Sequence, residues 1–129
     1  MTLTEFFTEQ LDYEAKLTRR ALEQVPQGKD DWKPHPKSMP LGMLAHLVAT
    51  MQSWIAFIIQ KDELDIKPPE GANAASRNLP SPKELLAAHD QAIDSARAAL
   101  QGVDDNFIQT KWKLLEGGKV VTEGPRVQF

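Results

Sequence analysis

The chain has no cysteine among its 129 residues. That absence removes disulfides, thiolate metal sites and a cysteine nucleophile together. It does not decide the compartment, because a secreted protein can also lack cysteine. Positive charge is not in surplus either: 15 basic side chains against 18 acidic ones give a formal charge of −3, and the basic residues are scattered. Phosphate binding needs a concentrated basic surface, so nucleic acid is not expected as a partner. No run approaches the roughly 20 apolar residues of a membrane span, and no membrane association is expected. The N-terminus, MTLTEFFTEQLDYE, is acidic and amphipathic rather than built like a signal peptide. A cytoplasmic protein is the resulting expectation. H-x-x-x-H, H-E-x-x-H, G-x-S-x-G, P-loop and dinucleotide-binding patterns are all missing. So are internal repeats and low-complexity tracts.

What is there reads as one domain, residues 1–129, long enough to bury about two thirds of its unfolded surface. Three helices are expected, near residues 2–25, 40–60 and 81–102. Thr2-Leu3-Thr4-Glu5 reads as a capping box for the first, whose apolar residues Leu3, Phe6, Phe7, Leu11, Leu17, Ala21, Leu22 and Val25 recur at helical spacing. Pro40 suits the first turn of the second, where its missing N–H would have no partner anyway. Ser81-Pro82-Lys83-Glu84 opens the third, and Gly102 is its natural stop. The polar stretch over 61–80, including KPPEGANAASRNLPSP, reads as a long crossover. After Gly102 the period changes: IQTKWKLL and KVVTE flank Glu116-Gly117-Gly118, predicting a β-hairpin near 107–123.

Several polar residues fall on apolar faces. On a wheel of about 100° per residue, Gln10 and Glu14 lie inside the stripe of the first helix. Either they line a pocket between helices, or they are bonded core groups or reach solvent on a rotated helix. The second helix is apolar nearly all round, through Leu41, Leu44, Leu47, Val48, Met51, Ile55, Ile58 and Ile59. Opposite runs a narrow stripe of Gly42, His46, Ala49, Thr50 and Ser53, which borders a cavity or faces solvent. His89 sits among Leu85, Leu86, Ala92, Ile93, Ala96 and Leu100, where a hydrogen-bonded core histidine is the commoner role than a metal ligand.

The order of these segments resembles one known family. An aromatic residue, then His35-Pro36-Lys37-Ser38-Met39, a short gap, Leu41-Gly42-Met43-Leu44-Ala45-His46 and an apolar helix are similar to the DinB-like (YfiT-like) superfamily of metalloenzymes. The L-x-x-V-P segment ahead of W-K-P-H-P, the crossover and the W-x-L…G-G hairpin match in order and spacing. The resemblance covers essentially the whole chain. It implies an all-α, up-and-down four-helix bundle with a long crossover, often dimeric, holding divalent nickel or zinc between helices. It implies a metal-dependent enzyme of the thiol-dependent transferase, isomerase or hydrolase type, acting on a small molecule. The family's first histidine ligand falls at His46. The other two come from an H-x-x-x-H on a fourth helix, which would begin about where this sequence stops, after Gly124-Pro125-Arg126. The sequence departs from the pattern there, with one matching ligand and no pair. Gln10, Glu14 and Ser53 would line the pocket. A weaker alternative joins Glu14, His46 and His89 as a two-histidine, one-carboxylate set. The competing class is a non-catalytic binding or assembly module. Three helices of a bundle built for four are expected to leave an apolar groove along Leu44, Met51, Ile55, Leu85 and Ile93, and so to favour a homodimer.

Overall fold

A computed structural model describes residues 1–67 and 81–129. Residues 68–80 of the expected crossover lie outside the described residues. The described chain is mostly helical, with α1 over Leu3–Glu23, α2 over Leu41–Thr50, α3 over Ser53–Gln60, α4 over Pro82–Gln101 and a short α5 over Asp105–Ile108. Three strands, β1 Glu63–Asp65, β2 Lys111–Glu116 and β3 Lys119–Pro125, form a small sheet in that order. Arg126–Gln128 add one turn of 3₁₀ helix.

Local chemistry explains where the helices start. Thr2 and Glu5 close a reciprocal capping box on α1, and Ser81 and Glu84 do the same on α4. α1 receives a second cap from far along the chain. The Asp105 carboxylate accepts the Leu3 N–H at 2.9 Å and the Thr4 N–H at 3.1 Å, two donors that no residue within the helix can satisfy. α2 has no side-chain cap. Instead the proline-spaced approach folds back, so that the Trp32 carbonyl accepts from the Leu41 N–H and the Asp30 carbonyl from the Gly42 N–H.

The single helix expected over 40–60 is instead two, bent by 50°. Apolar periodicity runs through the break, but side-chain chemistry does not. The Thr50 hydroxyl donates to the His46 carbonyl, and the Ser53 hydroxyl donates to the Thr50 carbonyl. Trp54 and Ile55 donate to carbonyls three residues back rather than four. Hydroxyls competing for helical carbonyls bend helices in this way. Among the described residues no single helix is long and apolar enough to cross a membrane; α2 and α3 reach the required hydropathy only as this bent pair.

α4 is the central helix, packing against α1, α2 and α3, while α1 and α2 touch sparingly. Two apolar clusters hold the layers. Leu22, Ala45, Ala49 and Leu85 form one; Leu11, Ile93, Ala96 and Leu100 form the other, with Phe7, Ile55 and Ile59 against it. The inward face of α2 is therefore not its large-residue face, whereas on α3 the large residues do pack inward, with Ile58 buried beside Ala56 and Ile55 and Ile59 against the second cluster. Gly42, Ala45, Ala49 and Ala56 are buried, and Leu44, Leu47 and Met51 are exposed. Small side chains win that position because they permit a short interhelical distance. Leu85 and Ile93, expected along an open groove, are buried as well.

β2 and β3 run antiparallel, with Gly117 and Gly118 between them at φ +60° and +83°, the left-handed pair that a tight two-residue turn requires. The span begins later than expected, because Asp104 caps α5 by accepting the Phe107 N–H and holds 105–108 in a helical turn. β1 pairs parallel with β2. It is fastened by Asp65, whose carboxylate accepts from the N–H groups of Gly117, Gly118 and Lys67.

The Asp105 clasp makes stability depend on pH. The Leu3 N–H above all, and the Thr4 N–H with it, hold its carboxyl below the ordinary aspartate range. A folded value below the unfolded one contributes stability above the ordinary range, and that stability is lost as pH falls through the folded value. Asp105→Asn should therefore lower the urea midpoint at neutral pH, with the deficit shrinking toward about pH 3. An equal deficit at both pH values would show that the carboxylate charge is not what fastens α1.

Candidate functional site

An apolar pocket of about 340 Å³ opens between α1 and α3. Phe7 and Leu11 of α1 and Ile55, Ile58 and Ile59 of α3 line it, together with Leu100 of α4 and Ile108 of α5. Val127 and Phe129 complete the apolar lining. The pocket exists because α1 and α3 both pack on α4 and meet each other only sparsely. Gln10 and Glu14, one helical turn apart on α1, are the polar members of this wall together with Arg126.

Arg126 is buried beside the pocket and has no donor to spare. Its Nε donates to the Ile58 carbonyl at 2.8 Å. One terminal nitrogen donates to the Thr110 hydroxyl and the Lys111 carbonyl. The other donates to the Lys61 carbonyl and to the Asp62 carboxylate at 2.6 Å. Those five bonds use all five guanidinium N–H groups. The cation also stacks over the Phe107 ring, 4.6 Å from its centre. Arg126 thus ties the end of α3 to β2 and to the C-terminal turn, and offers nothing free to an anion. The family resemblance implies a helix beginning after Gly124-Pro125-Arg126, and Arg126–Gln128 form one 3₁₀ turn. The burial of Arg126 has no local signal, because its acceptors come from residues 58–62 and 110–111.

The other sequence-derived site residues are dispersed. Ser53 is outside the pocket lining, its hydroxyl spent on the Thr50 carbonyl. His46 is exposed on α2, away from the pocket, and its side chain makes no hydrogen bond among the described residues. His89 is buried, with Nδ1 3.2 Å from the Ala49 carbonyl and Nε2 3.3 Å from the Ala15 carbonyl. It bridges α1, α4 and α2 through backbone oxygens. His35 is exposed, and its Nδ1 accepts the Lys37 N–H.

These positions test the metal reading. Among the described residues no three His, Asp or Glu side chains gather into a metal-binding cluster. Glu14, His46 and His89 in particular are not drawn together, and both His89 nitrogens face carbonyls. The described residues therefore do not fit a three-ligand centre.

The Arg126 geometry separates two energies. Its side chain is 4% exposed, whereas that of Asp62 is 94% exposed, so the ion pair itself is screened by water. Arg126→Met should cost about 2–4 kcal/mol by stranding the Ile58 and Lys111 carbonyls, and Asp62→Asn less than about 1 kcal/mol. Urea denaturation of both variants checks this; equal losses would assign the stability to the ion pair instead.

The sequence model of the DinB superfamily matches residues 10–123, from the first half of α1 into β3. No curated protein and no solved structure matches the chain. A match spanning nearly all the helices and most of the sheet, over a bent, mostly helical bundle with α4 at its centre, settles the lineage: the chain belongs to the DinB superfamily.

Proposed function

We propose that this chain binds a small amphipathic molecule in the pocket between α1 and α3. The apolar body packs against Phe7, Ile55, Ile59 and Leu100, and a cationic or hydrogen-bond-donating head meets Gln10 and Glu14. One contrast carries the reading: an almost wholly apolar wall bears a carboxylate and an amide one turn apart, while the neighbouring guanidinium is saturated. About 340 Å³ is within the range of small-molecule sites, roughly 300–1,000 Å³, which are typically apolar with a few placed polar groups. A carboxylate at an apolar rim attracts a cation more strongly than one in bulk water. With Arg126 committed, an anionic head finds no free charge to pair with. Amines should therefore outrank alcohols of the same chain length, and alcohols should outrank carboxylates.

Metal-dependent transferase, isomerase or hydrolase chemistry, as the family resemblance implies, needs more ligands than His46 supplies. What supports His46 as a ligand to nickel or zinc is its exposure without a side-chain partner among the described residues and its place in the family pattern. No reaction step follows from one histidine. The reading best supported is thus a binding bundle, with metal chemistry second to it.

Calorimetric titration of matched alkyl amines, alcohols and carboxylates tests the pocket. Glu14→Gln should erase the preference for amines while leaving alcohol binding, and Ile59→Trp should block all three by filling the cavity. Equal affinity across the series, or binding unmoved by Ile59→Trp, would remove the proposal. For the second reading, metal analysis of protein purified without a histidine tag should find about one equivalent that His46→Ala loses; no metal above background would dismiss it.

A further inference from the structure

His89 is a buried titratable group that ligand binding in the pocket leaves without a task. Its ring, on α4, is 1% exposed and bridges two backbone carbonyls. Nδ1 is 3.2 Å from the Ala49 oxygen on α2, and Nε2 is 3.3 Å from the Ala15 oxygen on α1. Both contacts bear on the pocket. Ala15 directly follows Glu14, and Ala49 stands just ahead of the bend that leads into Ile55, Ile58 and Ile59 of α3.

The bend is what frees a carbonyl for the ring. Backbone bonds resume there with Trp54 to Met51 and Ile55 to Gln52. Among the described residues no backbone N–H of Gln52 or Ser53 reaches the Val48 or Ala49 carbonyl. Side chains take their place. The Gln52 amide nitrogen, turned toward the helix, donates to the Val48 oxygen at 3.3 Å and to the Ala49 oxygen at 3.2 Å. The second lone pair of Ala49 is left for His89.

A carbonyl only accepts, so each contact is a hydrogen bond only when that ring nitrogen carries a proton. Neutral imidazole has one N–H and turns a lone pair toward the other carbonyl. The doubly protonated ring makes both bonds. Burial disfavours the cation, and two charge-assisted bonds offset that cost. The charged groups around the ring come from α1 (Asp12, Lys16, Arg19) and from α4 (Asp90, Asp94, Arg97). Arg19 pairs with Asp90, and Arg97 with Asp12 and Asp94. Three carboxylates thus match three cations, and no surplus positive charge opposes a second ring proton. α2 and α3 bring no Asp, Glu, Lys or Arg, and His46 is exposed.

Resting on the pocket reading, we propose that His89 is the positioning residue of that pocket: doubly protonated, it ties α1 to the α2–α3 bend and sets the separation of the two walls. Loss of one proton releases one wall, and the pocket fits its ligand less well. A histidine that merely fills the core would leave binding indifferent to its protonation.

The bridge is read without any ligand. In nitrogen NMR of protein labelled at histidine, the His89 ring should show two protonated nitrogens at about pH 5, below the range where histidines change charge. As pH is raised until the ring loses a proton, the backbone amide signals of Glu14, Ala15, Ile55 and Ile59 should shift with it. One bare nitrogen at about pH 5, or wall signals that ignore the ring's titration, would overturn the proposal. Binding is read with hexanol, a probe that carries no charge at either pH. Its affinity should fall about fivefold across the same step, the worth of roughly one hydrogen bond. His89→Gln offers two N–H groups at every pH and should abolish that step, while His89→Leu should bind as weakly as the wild type at high pH. Unchanged affinity across the step, or a step that survives in His89→Gln, would also overturn the proposal. Hexanol that binds at no pH would remove the pocket reading instead, and the ring and wall signals still decide the bridge.

Discussion

Glycine and alanine at positions 42, 45, 49 and 56 let the bent α2–α3 pair lie close on α4, and much else follows from that contact. A helix has only one innermost line. When small residues take it, the large ones are displaced to the two sides. On one side Ile55, Ile58 and Ile59 are turned toward α1, which leans on the opposite flank of α4, and the gap between them is the pocket. On the other side the displaced residues meet water. The close approach also brings the Ala49 carbonyl within reach of His89, so a core histidine links three helices without any side-chain partner. Pocket, outward strip and buried imidazole are thus three results of one steric choice.

Features set by neighbours in sequence were legible from sequence. Both capping boxes depend on residues three apart, and the Gly117-Gly118 turn depends on two adjacent residues that tolerate positive φ. The break after Thr50 was hidden because the apolar period passes through it and only the hydroxyls of Thr50 and Ser53 mark the place. β1 was hidden for a different reason: three residues, Glu63, Leu64 and Asp65, are too few to show an alternation. On α2 the periodicity left open whether the small stripe packs or faces solvent; close packing on α4 selects against size, so Gly42 and Ala49 are buried while His46 is exposed. At the candidate site, the helical wheel set Gln10 and Glu14 inside the apolar stripe of α1, and the structure has them on a pocket wall. Arg126 had no local mark, since the acceptors that bury it are 15 to 68 residues away.

Family membership and residue chemistry speak to different questions here. The DinB match assigns ancestry to the bundle. What the site can hold is decided by which groups still have free valences. His89 has its nitrogens against carbonyls, the Ser53 hydroxyl donates its hydrogen bond to a carbonyl, and Arg126 is saturated; Gln10, Glu14 and His46 remain open among the described residues. Two of those three share the pocket and the third does not.

The Asp105 clasp has a kinetic consequence. Its bond to the Leu3 N–H joins residues 102 apart in sequence, and the Arg126 bond to Ile58 joins residues 68 apart. Capped helices can form on their own scale of microseconds, but closing loops of that length waits until the helices have docked. Such clasps then form after the rate-limiting step of folding and break ahead of it in unfolding. They act on how long the folded state lasts rather than on how fast it is reached. The two ends of the chain are in this sense latches, and the lifetime of the bundle is set where its sequence separation is greatest.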